Sequence, residues 1–417
     1  MKKLKIAILS YRSAPFGGGQ GVYVNDISRA LMIMGHEVDV ISGPPYPYLS
    51  DQVNLIKLPG LDLFQTFSFK ERLKIFLNKK DKKLIDFYEF FSTLFGGFPE
   101  MRTFGHRANN FLKINHNYDV VIDNQSLSYG MLEIQKRFPF IGIIHHPISK
   151  DFKFELESAN SFLYKLSRYR WYSFLKMQKK VAKNINRIIT PSKNSLRDIL
   201  EDFGANKENI KVINNGLDID IFIPYKEIKR TPFKLITTAS ADVALKGLDY
   251  TLKSLFALAT EFPEISLLVI GKMKNDGHTS RLIDELSIQD RVTFKTDLTK
   301  EEIAKEYASS SIAIVSSLYE GFGYPVIEAM SCEIPLIATN TASIPELVGE
   351  FANLITPKSE NELSESIKNI FNNYQEFEKI AESGRQHIID NFNWLKITLE
   401  YEEMIFKTIQ DFKNANL

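Results

Sequence analysis

The sequence predicts an α/β protein built from two doubly wound, Rossmann-like domains that face a central cleft. Its 417 residues are a natural length for two domains. Apolar, strand-like runs alternate with helical stretches, and this alternation starts a second time after a turn-rich stretch at 218–232. We therefore expect domains at 1–222 and 223–395, with a C-terminal helix at about 396–417 that packs back on the first domain.

The first series opens with a βαβ unit. Residues 5–10 (KIAILS) read as a buried strand, 22–34 as an amphipathic helix and 36–42 as the next strand. Such a unit is typical of a parallel, doubly wound sheet. Later strands of this domain are predicted at 120–123, 140–146, 187–192 and 210–216.

The second series repeats the pattern. Residues 233–240 (FKLITTAS) predict a strand, 248–258 a helix, and 395–413 the helical tail. The other strands of this domain are predicted at 265–271, 291–296, 312–317 and 334–340.

Composition narrows the class of protein. A single cysteine, Cys332, excludes a disulfide framework and indicates a reducing compartment. The basic N-terminus is followed by too few apolar residues for a signal peptide, and no run approaches a membrane-spanning length. Residues 1–225 carry a net charge of +10 and residues 226–417 one of −9, which indicates different partners for the two halves. We expect a cytoplasmic protein.

The glycine-rich loop GGGQG (17–21) follows the first strand and precedes a helix, so its amides could approach a phosphate or a sugar. It does not match G-x-G-x-x-G. The second strand also ends at Ser42 and Gly43 without an acidic residue for a ribose, which argues against a nicotinamide dehydrogenase. A tight turn without a ligand remains an alternative.

The segment SLYEGFGYPVIEAM (317–330) contains two carboxylates. Glu320 lies in a loop, whereas Pro325 suits the first turn of a helix that carries Glu328. The amides at this helix N-terminus favour an anion or bound hydroxyls. In a glycosidase the two carboxylates must face each other across one bond. Their successive placement here favours two acceptors that bind hydroxyls.

Taken in order, several motifs resemble the retaining glycosyltransferases of family 4, which have the GT-B fold, and the resemblance extends over nearly the whole chain. EGFGYPVIE resembles the E-x7-E motif of that family, IIHHP its cleft histidine and LKG its phosphate lysine. The other similar segments are FGGGQGVYVNDISRALMIMGHEVDVIS, TPS, INNGLDIDIF and ASIPELVG.

The resemblance implies how the donor sugar nucleotide is bound. Glu320 would hold hydroxyls of the transferred sugar, and the amides around Gly321, Phe322 and Gly323 would help to fix that sugar. Glu328 would accept hydrogen bonds from the ribose.

It also implies which residues serve the reacting bond. Lys246 would neutralise the diphosphate leaving group, as a point charge on a flexible stem can. His145, or its neighbour His146, would reach the donor sugar near the reacting carbon, and Gly18 and Gly19 would lie by the phosphates. Glu320, His145 and Lys246 are thus the expected catalytic residues.

One position departs from the family pattern. The family usually has an arginine about five residues before the phosphate lysine, but TASADVALKG has Ala241 there, beside Ser240 and Asp242. Losing a cation should cost rate unless it is replaced. Lys272 is a candidate replacement, and a solvated lysine is the alternative.

Two basic, amphipathic segments suggest an anionic membrane surface as a partner. Residues 69–95 are rich in lysine and aromatics, and 158–197 contain ten Lys or Arg and no acid. In the second segment Phe174, Val181, Ile185 and Ile188 recur at helical spacing, which predicts one helix with an apolar face. Such helices bind anionic lipid, and packed helices with solvated basic faces are the alternative. Nucleic acid is not expected, because no groove-reading or base-stacking motif accompanies the charge.

The resemblance implies transfer of a hexose from a UDP- or GDP-sugar to a hydroxyl of a glycan or lipid acceptor, with retention, in cell-envelope polysaccharide or glycolipid synthesis. The second domain would bind the donor and the first the acceptor. No metal is expected, because the seven histidines and one cysteine show no ligand spacing, and no cofactor is required besides the donor. A sugar-nucleotide epimerase, a phosphorylase and a non-catalytic sugar-nucleotide-binding protein remain alternatives.

Overall fold

The computed structural model describes residues 2–14, 19–64, 66, 68–157, 159 and 161–416. The chain forms two compact units. The first runs to Pro191 and also includes Ser195–Ile213 and the residues from Thr398 onward, whereas the second consists of Ser192–Asn194 and Asn214–Ile397. The long segment of the second unit starts at Asn214, whereas the predicted boundary lies at 222.

The first unit contains a seven-stranded parallel sheet with the strand order β3-β2-β1-β4-β5-β6-β7. The order reverses between β1 and β4, and a doubly wound sheet binds ligands beyond the carboxyl ends of its strands at such a switch point. The strands are β1 (Lys5–Ser10), β2 (Glu37–Ser42), β3 (Asn54–Lys57), β4 (Val120–Asn124), β5 (Phe140–Ile143), β6 (Ile188–Thr190) and β7 (Ile210–Val212).

Burial explains which strands of this sheet the sequence predicts. The central strands β1, β4 and β5 are buried on both faces, so they read as nearly continuous apolar runs. The edge strand β3 was not predicted, because its four residues are exposed or half-buried. Strand β5 ends at Ile143, earlier than predicted, and this leaves His145 in the loop that follows.

Helices cover this sheet, and their buried side chains form one large core with the strands. A smaller core around Leu61, Leu63, Phe76 and Phe90 lies beneath α2 and α3. The helices are α1 (Gly19–Ile33), α2 (Phe69–Asn78), α3 (Leu84–Leu94), α4 (Glu100–Ile114), α5 (Tyr129–Ile134), α6 (Ser149–Glu157), α7 (Phe162–Trp171), α8 (Leu175–Asn184) and α9 (Lys193–Asp198).

The prediction of one amphipathic helix through Phe174, Val181 and Ile188 is wrong. Helix α8 ends at Asn184, Ile185 is extended, and Ile188 lies in strand β6. Apolar residues that recur every three or four positions fit one face of a helix. The same spacing also arises when buried side chains belong to a helix and to the strand that follows it. The sequence period alone could not separate the two.

The second unit contains a six-stranded parallel sheet with the order β10-β9-β8-β11-β12-β13. Its switch point lies between β8 and β11. Strand β13 was not predicted, because it has three residues and only one of them is buried. The strands are β8 (Lys234–Thr238), β9 (Ser266–Ile270), β10 (Val292–Lys295), β11 (Ile312–Val315), β12 (Leu336–Thr339) and β13 (Asn353–Ile355).

Two hydrophobic cores occur in the second unit, and each contains residues of its strands and of its helices. The predicted helix at 248–258 is confirmed with those bounds. No helix in the described part of the chain is both long and apolar enough to cross a membrane. The helices are α10 (Leu248–Leu258), α11 (His278–Leu286), α12 (Lys300–Ser309), α13 (Tyr324–Ser331), α14 (Ile344–Val348), α15 (Glu360–Asn372) and α16 (Tyr374–Phe392). The last helix, α17 (Trp394–Ala415), starts in this unit and belongs to the first unit from Thr398 onward.

Candidate active site

The loops after β8 and β11 meet at the switch point of the second sheet and bring two predicted site residues together. Lys246 Nζ lies 2.6 Å from Glu320 Oε1. Ser317 Oγ donates a hydrogen bond to the same carboxylate oxygen at 2.7 Å. The carboxylate side chain is only 11% exposed, so its charge is neutralised by a close cation instead of by water. Glu320 is therefore held as a hydrogen-bond acceptor.

A glycine lets the lysine loop approach the end of β11. Gly247 has φ of 62°, and a Cβ there would lie 2.0 Å from the carbonyl oxygen of Ser316. Ser316 Oγ in turn donates to the carbonyl oxygens of Lys246 and Gly247 at 3.2 and 3.0 Å. Any side chain at 247 would push the two loops apart, so this glycine sets the distance between Lys246 and Glu320.

The turn between Glu320 and α13 is fixed through its main chain. Gly323, with φ of 114°, is the N-cap of the helix. Ser343 Oγ donates to the carbonyl oxygens of Glu320 and Phe322 at 2.9 and 2.5 Å. The Phe322 side chain is buried against Tyr324. Phe322 can therefore contact a ligand only through its main chain, whereas Gly321 and Gly323 have no side chain to obstruct one.

Glu328 lies near one hydroxyl group that the sequence did not predict. The hydroxyl of Tyr307 in α12 lies 3.5 Å from Glu328 Oε2 and 2.9 Å from Oγ1 of Thr238, the last residue of β8. Burial raises the pKa of Tyr307 well above its ordinary value, so its hydroxyl keeps its proton. Only its place one helix away from the E-x7-E motif could have suggested Tyr307.

The position of the expected arginine has a structural role instead. Ala241 is buried in the core. Asp242 accepts the main-chain N–H groups of Thr279 and Lys274 at 2.9 and 3.3 Å, so it fastens the loop that follows β9. Burial alone would raise the pKa of Asp242, but these hydrogen bonds lower it below its ordinary value. Lys272 lies in the same loop, and it is exposed.

In the first unit, His145 follows β5 and is held on several sides. Its Nε2 lies 2.8 Å from Oδ1 of Asn124, at the end of β4. Its main-chain N–H donates to Gln125 Oε1 at 2.6 Å, and its carbonyl accepts from Ser195 Oγ at 2.8 Å. Because an amide oxygen only accepts, Nε2 carries the proton and Nδ1 remains an acceptor.

The imidazole of His145 is uncharged. Burial, with a smaller contribution from neighbouring His146, lowers its pKa to about 3. His146 differs, because its Nε2 lies 2.9 Å from Asp151 Oδ2 and its side chain is 29% exposed. Of the two histidines left open by the sequence, His145 is the one whose ring contacts the end of a neighbouring strand, whereas the His146 ring pairs with Asp151 in α6.

A buried pair of tyrosines supports this histidine. The Tyr23 ring in α1 packs edge-to-face on the His145 ring, with centroids 4.6 Å apart. The Tyr23 hydroxyl lies 2.7 Å from the hydroxyl of Tyr401 in α17. Both tyrosines are almost fully buried. They were not predicted, because they are 378 positions apart in the chain.

The glycine loop is described only in part. Gly18 lies outside the described residues. Gly19 is the first residue of α1, and a Cβ there would have no neighbour within 4 Å, so its role beside a ligand stays a prediction. Gly21 is the position that must be glycine, because a Cβ there would lie 2.1 Å from the carbonyl oxygen of Ala14. A search of the described residues for three or more His, Cys, Asp or Glu side chains placed to hold a metal ion finds none.

Comparisons with known proteins show the family of the chain. The model of Glycosyltransferase Family 4 matches residues 17–221, and that of Glycosyl transferases group 1 matches residues 222–387. A curated relative, the MMP alpha-(1->4)-mannosyltransferase of Mycolicibacterium hassiacum, is 38% identical over 97% of this chain and 98% of its own length.

Solved structures share the fold. Sucrose-phosphate synthase of Thermosynechococcus elongatus has a TM-score of 0.76 at 20% identity, with 98% of this chain and 100% of that chain covered. HepE of Anabaena, in complex with UDP and glucose, has a TM-score of 0.70 at 18% identity, with 96% and 99% covered. Together with the two parallel sheets, these similarities confirm the predicted GT-B fold of two Rossmann-like domains.

Proposed function

The chain is a family 4 glycosyltransferase, and from this we propose that it transfers a hexose from a nucleotide diphosphate sugar to a hydroxyl of a glycan or lipid acceptor, with retention. Mannose is the first sugar to test, because the relative at 38% identity is named as a mannosyltransferase. One observation carries the proposal. Lys246 and Glu320 form a close pair at the carboxyl ends of β8 and β11, where such a sheet binds its ligand.

Lys246 is proposed to stabilise the departing diphosphate. Its ammonium has three donors, and the contact with Glu320 uses one of them, so the others can serve phosphate oxygens. A fixed cation where charge develops is usually the largest electrostatic aid to such a reaction. Since Ala241 replaces the family arginine, this demand falls on Lys246.

Glu320 and Glu328 are proposed to hold the two sugars of the donor. The Glu320 carboxylate accepts from Lys246 and Ser317 and still has lone pairs for hydroxyls of the transferred hexose. The amides of Gly321, Phe322 and Gly323 would help to fix that hexose. Glu328 would accept hydrogen bonds from the ribose, beside the Tyr307 hydroxyl.

Retention is proposed to occur by attack on the same face, with the leaving phosphate taking the proton of the acceptor. The Glu320 carboxylate is paired with the Lys246 ammonium and accepts a hydrogen bond from Ser317, which suits a binding group better than a nucleophile. His145 is neutral, so it would contribute a hydrogen bond to the donor sugar and not a proton. The enzyme then supplies positioning and charge stabilisation.

The first unit is proposed to bind the acceptor, and the second to bind a UDP- or GDP-sugar without a further cofactor. Gly18 and Gly19 would contribute amides near the phosphates. We place the enzyme in the cytoplasm, in the synthesis of envelope polysaccharide or glycolipid, with peripheral attachment to a membrane. The envelope role is what the resemblance to family 4 implies.

A donor screen tests this function. The purified protein is first titrated with UDP, GDP and their sugar conjugates by calorimetry. The donor that binds is then incubated with mannose oligosaccharides and with lipid acceptors, and the released nucleoside diphosphate and the extended product are measured. We expect product with an α linkage, and expect the Lys246→Ala variant to form almost none.

Other outcomes separate the alternatives. Conversion of the donor without an acceptor would indicate an epimerase, and a requirement for inorganic phosphate or pyridoxal phosphate would indicate a phosphorylase. Binding of donor without product from any acceptor would indicate a binding protein. Any of these results would overturn the transfer proposed here.

A further inference from the structure

Exposed apolar side chains are concentrated on three helices of the first unit. The described residues include twenty-one large hydrophobic side chains that stand exposed, and twelve of them lie in 69–95 and 162–171. In α2, α3 and the residue after α3 they are Phe69, Leu77, Leu84, Phe87, Tyr88, Phe91 and Phe95. In α7 they are Phe162, Leu163, Tyr164, Leu166 and Tyr169. Single exposed hydrophobics are ordinary, but a concentration of this size marks an interaction site.

The need for a core does not explain these side chains. Helices α2 and α3 already bury Phe76 and Phe90 against each other, with ring centroids 4.4 Å apart. Helix α7 has no buried residue at all. Some of the exposed rings also contact neighbours, as Phe87 does on Phe76 and Tyr169 on Phe152. Each of the twelve residues nevertheless remains 39% exposed or more.

The two sets of helices adjoin each other through one aromatic cluster. Phe98, which follows α3, stacks on Trp171 at the end of α7 with centroids 5.1 Å apart. Phe64, which precedes α2, lies 5.6 Å from Phe98 and 5.8 Å from Trp171. We call the exposed surface of α2, α3 and α7 around this cluster the aromatic face. The Arg12 guanidinium, which follows β1, lies 3.6 Å from the Phe64 ring centroid, so the face adjoins the carboxyl edge of the first sheet.

Positive charge accompanies the aromatic face. Residues 69–95 carry seven Lys or Arg and four acids, and residues 162–171 carry three Lys or Arg and no acid. Two of the four acids, Asp86 and Glu89, are buried and paired with Arg107. The exposed cations include Lys70, Lys74, Lys80, Lys83, Lys165 and Arg170.

We propose that the aromatic face docks on an anionic lipid bilayer. Aromatic and leucine side chains would enter the boundary between headgroups and acyl chains, and the lysines would lie among the lipid phosphates. A second copy of this chain fits less well, because a two-fold contact would bring the same cations against each other. The docking specifies the surface behind the proposed membrane attachment, but it needs no sugar transfer, so the proposed transfer and the docking can fail independently.

Vesicle sedimentation tests the docking. The full chain is mixed with vesicles of phosphatidylcholine alone or with phosphatidylglycerol added, and the bound fraction is measured. We expect binding only with phosphatidylglycerol, and a loss of most of it at about 1 M salt, where the Debye length is about 3 Å. No sedimentation of the unaltered protein with phosphatidylglycerol would overturn the proposal.

Two sets of variants locate the contact. One combines Phe162→Ser, Leu163→Ser and Leu166→Ser, and its control combines Phe256→Ser, Leu395→Ser and Leu399→Ser, which are also exposed but lie elsewhere. The second set neutralises Lys80, Lys83, Lys165 and Arg170 to Gln, and its control neutralises the exposed Lys207, Lys358, Lys379 and Lys413. We expect the variants of the face to bind at least about tenfold more weakly, and the controls to bind normally. Equal losses in face and control variants would overturn the proposal.

Light scattering and transfer complete the test. A dimer that dissociates in the Phe162 variant set would assign the face to self-association and overturn the lipid proposal, whereas a monomer supports it. Transfer to a water-soluble acceptor should be normal in the face variants. If transfer fails with every donor while lipid binding survives, the proposed function falls and the docking stands.

Discussion

The candidate residues of the second unit form an ion pair, whereas the candidate histidine of the first unit is uncharged. Lys246 and Glu320 form an ion pair at 2.6 Å. His145 is neutral and fixed by an amide side chain and an aromatic ring. The diphosphate leaving group creates the electrostatic demand of the reaction, and the unit with the ion pair can meet it. The uncharged histidine can only orient the donor sugar through a hydrogen bond. We therefore expect replacement of the charged residues of the second unit to lower activity more than replacement of His145 in the first unit does.

Replacing Lys246 should give the largest effect. We expect Lys246→Ala to lower kcat by about 10²- to 10³-fold, as loss of one transition-state donor does, because no arginine at 241 can compensate. Steady-state kinetics with the donor found in the screen measures it. Lys253→Ala is the matched control, since Lys253 pairs with Glu360 at the surface. Normal turnover by Lys246→Ala would show that this lysine does not stabilise the leaving group.

Replacing Glu320 tests the other half of the pair. Glu320→Gln keeps the size of the side chain but loses its charge, so we expect kcat to fall by about 10²-fold while the free nucleoside diphosphate binds as before. Kinetics and calorimetry measure the two quantities, and Glu360→Gln is the control. A change in nucleotide affinity equal to the change in kcat would place Glu320 at the nucleotide instead of at the sugar.

Replacing Glu328 should affect binding more than chemistry. We expect Glu328→Ala to weaken binding of the free nucleotide by about tenfold, the value of a hydrogen bond or two to a ribose. Calorimetry with the nucleotide alone measures it. Tyr307→Phe should give a smaller loss, because it removes only the hydroxyl beside the carboxylate. If both variants bind the nucleotide with unchanged affinity, Glu328 and Tyr307 do not contact the ribose.

The structure brings Lys246 and Glu320, two of the predicted site residues, into contact, and their places in the chain explain why. Lys246 and Glu320 follow strands that flank the switch point, and residues beyond adjacent parallel strands meet in space. Their pairing could not be predicted, because 74 positions separate them and the distance depends on tertiary contacts such as the packing of Gly247 on Ser316.

The first unit was harder to predict, for a physical reason. The state of His145 depends on Tyr23 and on the adjacent residues Asn124 and Gln125, which come from two distant segments. Short edge strands such as β3 carry little apolar signal. Local patterns determine strands and loops, whereas the protonation state of a buried group depends on tertiary contacts.

Replacing His145 should lower activity without altering its pH dependence. Because the pKa of His145 is about 3, its ring is neutral at every pH between 5 and 9. We expect His145→Gln to reduce kcat/KM by about tenfold and to leave the shape of its pH profile unchanged. If the unaltered protein changes activity between pH 6 and 7 and the variant does not, His145 titrates in that range and this prediction is wrong.

Stability gives an independent check of the same pKa. His145 binds its proton more weakly in the folded chain than in the unfolded chain, where the ordinary value is 6.5. The unfolded state is therefore favoured as pH falls from about 6.5 towards 3. Thermal unfolding of His145→Gln should show less of this loss than the unaltered protein shows.

The smallest effect should come from Tyr401→Phe. This change removes the hydroxyl that lies 2.7 Å from the Tyr23 hydroxyl, and it leaves the Tyr23 ring against His145. We expect a loss of about 1 kcal/mol, which lowers Tm by about 2–4 °C for a unit of this size, and a change in kcat of less than about threefold. Tyr23→Leu, which removes the ring itself, should lower kcat further at a similar KM. If both variants lose the same activity, the hydroxyl pair orients His145 as much as the ring does, and the first unit would then depend on polar contacts as strongly as the second.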